Sequence, residues 1–255
     1  MLDALYTAAT GMLAQQTGMD AIANNLANVN TVGFKAGRTA FADLLYSELS
    51  PSQAANQGSQ MGLGVQVSAI QAQMDQGQAQ TTGVPTDVMI DGSGFLQVQR
   101  ADGSLAYTRA GNLAIDANRT LVTPAGEVVQ PRLTIPANGD MNTLSITSTG
   151  AVTIQVSGKD TTIGQLKLAI FPNPYGLDNV GGNDFVETPN SGAAQLVDPG
   201  ASGAGLIRQG MLEMSNVKAV DEMVSMITTQ RAYEGVSKVV SASDDMLGVA
   251  NALRR

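Results

Sequence analysis

The N-terminal 29 residues alternate apolar and polar positions with the period of an amphipathic helix. Gly11 and Gly18 would let another backbone approach this helix closely, although a glycine costs a helix about 1 kcal/mol relative to alanine. The helix is therefore weak alone, and we expect it to need a partner. One row of apolar residues recurs every seven positions and consists of Leu5, Met12, Met19 and Leu26.

The C-terminal region repeats this pattern over a longer stretch. Residues 212–253 contain no proline, and their apolar positions also recur every seven residues. A sustained spacing of this kind is typical of a coiled-coil seam, so the pattern predicts a second helix that packs against the first. The main apolar row of this helix consists of Met226, Tyr233, Val240 and Leu247.

The central region, residues 37–205, has the short alternating runs of β-strands instead. Turns that contain glycine, such as the one at residues 102–103, separate the runs and favour hairpins. Residues 47–62 are polar and predict a loop or an extended arm. The clearest strand patterns are Val65–Val67, Asp87–Ile90, Phe95–Val98, Leu113–Ile115 and Leu166–Ile170.

Together these patterns predict an α+β fold, in which an antiparallel all-β domain and an extended arm are inserted between two long terminal helices. The helices are expected to pack as a coiled-coil-like pair. We expect residues 1–36 and 206–255 to form a helical domain, residues 37–80 a connecting arm, and residues 81–205 a β-rich domain. The alternative is a single α+β domain whose terminal helices fold onto the sheet.

The composition excludes several kinds of active site. The 255 residues include no histidine and no cysteine, which removes imidazole bases, thiolate nucleophiles, disulfides and the usual zinc ligands. Only 14% of the residues are charged and the formal net charge is −8, whereas a nucleic-acid binder needs a basic patch. No apolar run predicts a transmembrane helix, and the N-terminus lacks the pattern of a cleavable signal peptide.

The acidic residues are the remaining candidates for chemistry. Asp87, Asp91 and Asp116 stand at positions where turn geometry already favours aspartate. Residues 178–184 are rich in Asp, Asn and Gly but lack the ligand spacing of a calcium loop. We therefore predict a protein that is not an enzyme, with no catalytic residue, no cofactor and no metal site.

The most specific segment is residues 23–35, which we call the signature segment and which is predicted to end the first helix. Its asparagines, Asn25 and Asn28 among them, can satisfy free helix carbonyls or adopt a left-handed conformation. Gly33 permits a positive φ, and Phe34 can anchor the turn on an apolar surface. An ordinary helix end needs only one such residue, so their density is unusual.

The signature segment resembles that of the bacterial flagellar axial proteins, the rod and hook family. The resemblance covers almost the whole chain, and within the family it is greatest to distal rod proteins. Residues 47–62 form a shorter insertion than distal rod proteins usually have, so proximal rod proteins remain an alternative. The further matching motifs are Ala8–Gln16, Phe41–Tyr46, Gly92–Val98, Tyr107–Asn112, Val129–Pro131, Gly164–Leu166, Gly176–Leu177, Glu213–Val217 and Thr229–Glu234.

The resemblance implies a structural subunit of the flagellar rod, a helical homopolymer that transmits motor torque to the hook. It implies that the terminal helices form the inner tube and that the β-rich domain and residues 37–80 make outer contacts. The expected partners are further copies of the chain, other rod proteins, the hook protein and the surrounding ring proteins. The predicted interface residues are Leu5, Met12, Met19, Leu26, Asn25, Asn28, Gly33, Phe34, Met226, Tyr233, Val240 and Leu247.

The resemblance also implies a location, the flagellar basal body in the periplasmic space, reached by type III export without a cleavable signal peptide. A different class of function stays open at this level. An acidic β-rich protein with a helical oligomerisation stalk is also typical of a secreted adhesin or binding module. Such modules usually present exposed aromatic side chains, but this chain has no tryptophan and only five tyrosines.

Overall fold

A helix at each end of the chain encloses antiparallel β-structure in the computed structural model, which confirms the α+β class. The chain divides into two compact units. The structure describes residues 2–44, 46–48, 60–139 and 141–252. The helical unit comprises Met1–Ala27, Gly37–Ala72 and Lys218–Arg255, and the β unit comprises Asn28–Ala36 and Gln73–Val217.

In the part of the helical unit that the structure describes, there are two helices and two antiparallel ribbons. The first helix packs on the second helix and on the longer ribbon. Neither helix, among the described residues, is long and apolar enough to cross a membrane. The elements are α1 (Leu2–Ala27), β1 (Gly37–Asp43) paired with β4 (Val65–Ala72), β2 (Tyr46–Glu48) paired with β3 (Gln60–Gly62), and α2 (Ala219–Ala252).

Two predictions need correction at this level. The second helix was expected from about residue 212, but it begins at Ala219 because Leu212 and Glu213 are buried in a β-strand. The polar stretch 47–62 was expected to be a loop or an arm, but its two ends pair as β2 and β3. Residues 49–59 of that stretch lie outside the described residues.

Among its described residues, the β unit contains sixteen short strands, all paired antiparallel. The strands in or overlapping the predicted patterns begin at Val88, Phe95, Ala114 and Leu168. The elements are β5 (Ala79–Thr81), β6 (Val88–Asp91), β7 (Phe95–Gln99), β8 (Leu105–Thr108), β9 (Ala114–Ile115), β10 (Leu121–Val122), β11 (Val128–Gln130), β12 (Ser145–Ile146), β13 (Ala151–Val156), β14 (Lys159–Gln165), β15 (Leu168–Ile170), β16 (Asp178–Gly181), β17 (Asp184–Val186), β18 (Gln195–Val197), β19 (Leu206–Gln209) and β20 (Met211–Glu213).

One sheet dominates the β unit. Its strand order is β16-β17-β8-β7-β11-β10-β9, with β15 and β18 attached beside β7. A separate sheet has the order β12-β13-β14, and two further pairs are β19-β6 and β20-β5. The β20-β5 pair places Glu213 directly opposite Ala79, which brings the end of the β unit back to its beginning.

The strands bury both faces around β7. Leu96 and Val98 point to an aliphatic core, while Phe95 on the opposite face makes edge-to-face contacts with Phe171 and Phe185. The ring centroids lie 5.8 Å apart in both contacts, a favourable geometry for aromatic pairs. The aliphatic core consists of Val88, Ile90, Leu96, Val98, Ala106, Leu113, Leu121, Val129, Leu133, Leu144, Ile146, Val152, Leu166, Leu168 and Ile207.

Candidate assembly site

The two helices meet where α1 carries glycine. A methyl group added at Gly11 would lie 3.8 Å from Cγ1 of Val236, and one added at Gly18 would lie 3.9 Å from Cγ2 of Thr229. These pairs are seven residues apart on both helices and run in opposite directions, so the helices are antiparallel here. The two glycines, which a helix normally disfavours, allow the side chains of α2 to approach the backbone of α1.

A third contact continues this spacing at Asn25, which is buried. Its Nδ2 donates hydrogen bonds to Oε1 of Glu222 at 3.2 Å and to the carbonyl oxygen of Gly37 at 2.9 Å. Its Oδ1 accepts from the backbone N–H of Gly37 at 2.8 Å. The interpretation of Asn25 as a helix-ending residue is therefore wrong: it lies within α1 and joins that helix to α2 and to β1.

The structure places the predicted apolar rows at half-buried positions. Leu5, Met12, Met19 and Leu26 are all half-buried on α1. On α2, positions of reduced exposure recur in steps of four and three residues, and the predicted row occupies every second one. The side chain of Leu247 lies outside the described residues. The α2 positions of this series are Glu222, Met226, Thr229, Tyr233, Val236, Val240 and Ser243, and Ser237 beside the series is half-buried as well.

The rest of the signature segment belongs to the β unit. Gly33 has φ +71°, and a Cβ there would lie 2.6 Å from the backbone nitrogen of Ala110. Its N–H donates to the carbonyl oxygen of Glu213 at 2.8 Å. Phe34 and Asn28 are half-buried. The glycine was predicted for its positive φ, and the structure adds that no side chain fits between this loop and Ala110.

Behind Gly33 lies a buried group of charges that we call the Glu213 cluster: Lys35, Arg109 and Glu213. Nζ of Lys35 lies 2.6 Å from Oε1 of Glu213, and Nη1 of Arg109 lies 3.1 Å from Oε2. Oε1 also accepts from the N–H of Gly77 at 2.9 Å, and the lysine donates to the carbonyl oxygen of Asp75 at 2.7 Å. One carboxylate therefore joins segments that are far apart in sequence.

The electrostatics of the Glu213 cluster are those of ions removed from water. Burial lowers the pKa of Lys35, and the neighbouring Glu213 carboxylate opposes this effect. The guanidinium carbon of Arg109 lies 5.2 Å from the centre of the Phe95 ring, a cation–π distance. Removing one member of such a group is costly because it leaves the others as uncompensated buried charges.

Asn216 completes the attachment beside the Glu213 cluster. Its Oδ1 accepts from the N–H of Ala36 at 2.8 Å, and its Nδ2 donates to the carbonyl oxygen of Gln73 at 2.8 Å. The N–H of Gln73 in turn donates to the carbonyl oxygen of Ala36 at 2.8 Å. Ala36, Gln73 and Val217 are residues at which the chain enters or leaves the β unit, so this network holds those ends of the unit together.

Sequence reasoning missed these residues as a group. Lys35, Arg109, Glu213 and Asn216 each stand inside a motif that carried the resemblance, but none was chosen as a site residue. A signal was present, since a chain with few charges places three of them inside its most specific motifs. Within the described residues, no three acidic side chains come together to hold a metal ion. The arrangement is suited to holding segments together.

Comparison with known proteins agrees with this reading of the motifs. Residues 5–35 match the family described as flagella basal body rod protein, and residues 89–154 match the D1 domain of the flagellar hook protein FlgE/F/G. Residues 208–253 match the C-terminal family of flagellar basal body rod FlgEFG proteins. The first and last of these matches contain both helices and most of the site described above.

Full-length relatives are also similar. The flagellar basal-body rod protein FlgG of Borreliella burgdorferi is 44% identical, with 100% of both chains covered. That of Caulobacter vibrioides is 43% identical over 99% of this chain and 100% of the relative, and that of Bacillus subtilis is 40% identical over 97% of each. The chain therefore belongs to the FlgG family of flagellar basal-body rod proteins.

Proposed function

We propose that this chain is a structural subunit of the flagellar distal rod, and that copies polymerise into the rigid shaft that transmits motor torque to the hook. The role is mechanical and involves no catalysis. The observation that carries the proposal is an exposed apolar surface on α2, described below. Full-length similarity to FlgG proteins favours the distal rod over a proximal rod subunit or a secreted binding module.

The outer side of α2 carries an apolar surface at its N-terminal end, which we call the α2 patch. Its residues follow the spacing i, i+3, i+4 and i+7 of one helix face. The most exposed of these residues is Val220, whose exposed fraction is 71%. Apolar surface of this kind is stabilised by burial against another molecule. The α2 patch consists of Val220, Met223, Val224 and Ile227.

The other side of α2 supports a pairing of the helices. Contacts at Gly11, Gly18 and Asn25 recur every seven residues, the period of a coiled-coil seam. We propose that this antiparallel pair is the unit that packs into the inner tube of the polymer. The twelve predicted interface residues are part of this proposal, as is the assignment of residues 1–36 and 206–255 to the tube.

Outside the tube, we propose that residues 37–80 and the β-rich domain, residues 81–205, contact neighbouring subunits. Residues 47–62 would stiffen the shaft through such contacts. Head-to-tail contacts between unlike surfaces generate an open helical filament in place of a closed ring. Other rod proteins, the hook protein and the surrounding ring proteins are the further partners, in the periplasmic space after export without a cleavable signal peptide.

The α2 patch provides the test. Ile227→Asp places a charge on the outer face of α2 and should leave the α1–α2 contact intact, because Ile227 lies away from that contact. Burying an unpaired charge in the polymer should raise the critical concentration for polymerisation at least about tenfold, since tenfold corresponds to only about 1.4 kcal/mol. Sedimentation and negative-stain electron microscopy of the purified full chain measure this.

Ser241→Asp is the matched control, since it adds the same charge to an exposed polar position of α2. It should polymerise as the original chain does. Met12→Asp changes a predicted seam residue on α1 and should reduce both helical circular dichroism and polymerisation. Equal polymerisation of Ile227→Asp and the control would contradict burial of the α2 patch. An original chain that forms only closed oligomers would favour the binding-module alternative.

A further inference from the structure

Two carboxyl groups share a buried position at one edge of the β unit. Asp184 begins β17 and stands opposite Thr108 of β8, and Glu127 immediately precedes β11. Asp184 is 3% exposed and Glu127 is 8% exposed. Both side chains line the same cleft. Two carboxylates only accept hydrogen bonds, so a direct contact between them needs one proton.

The surrounding charges do not fully neutralise the pair. Among the described residues, Arg100 is the cation that pairs with Glu127, with Nε 3.3 Å from Oε1 and with a side chain that is partly exposed. The hydroxyls of Thr108 and Thr123 also face the pair. Burial, and then the Glu127 charge, raise the pKa of Asp184 to about 6.

The pair lies beside the signature segment. A cleft of about 240 Å³ has Thr31 and Val32 on its lining together with Asp184 and Glu127. Asn183, the residue before Asp184, donates from Nδ2 to the carbonyl oxygen of Val32 at 2.9 Å. Its own carbonyl oxygen accepts from the hydroxyl of Thr108 at 3.0 Å. The residue that directly precedes Asp184 therefore holds this part of the signature segment.

We propose that the Asp184–Glu127 pair is a proton-dependent switch, which holds residues 28–36 on the β unit while it shares a proton and loosens them when that proton is lost. Two charges in the same buried position repel each other. Separation of β17 from Glu127 would widen the cleft and weaken the hydrogen bond from Asn183 to Val32. The effect is independent of the assembly proposed above, because every group in it belongs to the β unit.

The direction of the pH effect follows from the raised pKa of Asp184. Folding favours the protonated carboxyl, so this contribution to stability is complete below the ordinary value of 3.8 and is lost as the pH rises through about 6. Above that pH the contribution no longer changes. Each unit between the pH and the pKa changes the protonation equilibrium tenfold. Because about pH 5 lies one unit below the pKa of Asp184, local opening of residues 28–36 should increase about tenfold between about pH 5 and about pH 8.

Amide hydrogen exchange of the full chain, corrected for the intrinsic effect of pH, measures this opening. In the original chain, protection of residues 28–36 should fall about tenfold over that range, while protection of α2, which belongs to the helical unit, stays constant. Asp184→Asn and Glu127→Gln should each remove the fall, because either variant removes one charge of the pair. Asp178→Asn, at an exposed carboxyl on the neighbouring strand β16, should retain it.

Constant protection of residues 28–36 in the original chain would overturn the proposal without any variant. An equal fall in α2 would also overturn it, since no group of the pair belongs to the helical unit. If one variant fails to fold, the other decides. If the folded variants show reduced protection of residues 28–36 at both pH values, the pair contributes only a structural hydrogen bond, and the proposal is contradicted.

Discussion

The two units of this molecule bury different kinds of side chain. In the β unit, large aliphatic residues such as Leu166 and Leu168 are 0% exposed. In the helical unit, the buried α1 residues include Ala8, Ala14 and Gly18, while Leu13 on the same helix is 65% exposed. Burial of apolar surface is the main stabilising contribution to folding. The β unit therefore contains its own core, whereas the helical unit leaves much of its apolar surface available to other molecules.

The largest expected difference between the units concerns two leucines. Leu168→Ala removes a fully buried side chain and should lower the free energy of unfolding by about 3 kcal/mol. Leu13→Ala removes an exposed one and should change it by less than about 0.5 kcal/mol, because leucine and alanine have similar helix propensities. Urea unfolding of the full chain, followed by circular dichroism, measures both. Similar losses in the two variants would contradict the contrast between the units.

Two glycines of the β unit provide a second test of this comparison. Gly33→Ala combines a left-handed backbone with a close approach to Ala110, and should destabilise the protein by about 2–4 kcal/mol. Gly83 has a similar φ of +69° but has no atom near its added Cβ, so Gly83→Ala should cost only about 1 kcal/mol. Unfolding free energies distinguish the two. Equal costs would mean that the packing of the signature segment against Ala110 contributes nothing.

The smallest effect, with the opposite sign, is expected in the helical unit. A Cβ at Gly18 would meet ordinary contacts at 3.6–4.0 Å, so Gly18→Ala should stabilise α1 by up to about 1 kcal/mol. Gly235→Ala on α2, where the added atom meets nothing within 4 Å, is the control for propensity alone. Hydrogen exchange of each helix measures the gain. A loss of protection in Gly18→Ala, together with a gain in the control, would show that the helices pack too closely at Gly18 to accept a methyl group.

Local pattern predicted the main elements of this fold. Seven-residue spacing predicted both helices, and alternation predicted strands at Phe95–Val98 and Val65–Val67, which the structure extends to Phe95–Gln99 and Val65–Ala72. These signals lie within a few residues of one another, so they depend little on the rest of the chain. The start of α2 was wrong because tertiary pairing with β5 holds residues 211–213 in a strand, against their apolar helical spacing.

The candidate site was only partly predictable. Gly33 could be found because its conformation is local, whereas Lys35 and Glu213 are separated by 178 positions in sequence. Nothing in the neighbourhood of either residue shows that it is buried with the other. The apolar rows on α1 were visible, but the α1 residues found against Val236, Thr229 and Glu222 are two glycines and an asparagine. Such residues give no hydrophobic signal, even where they lie between two packed helices.

The helix seam has a directed bond at only one of its three contacts. At Gly11 and Gly18 the α2 atoms nearest to an added Cβ are methyl carbons, of Val236 and Thr229, and a methyl carbon makes no hydrogen bond. Asn25 differs, since its amide bonds both Glu222 and Gly37. Axial sliding of one helix past the other is thus resisted mainly at the end of α1 nearest the signature segment. If the proposed shaft is built from such pairs, the register of each pair under torsion depends on one amide, that of Asn25.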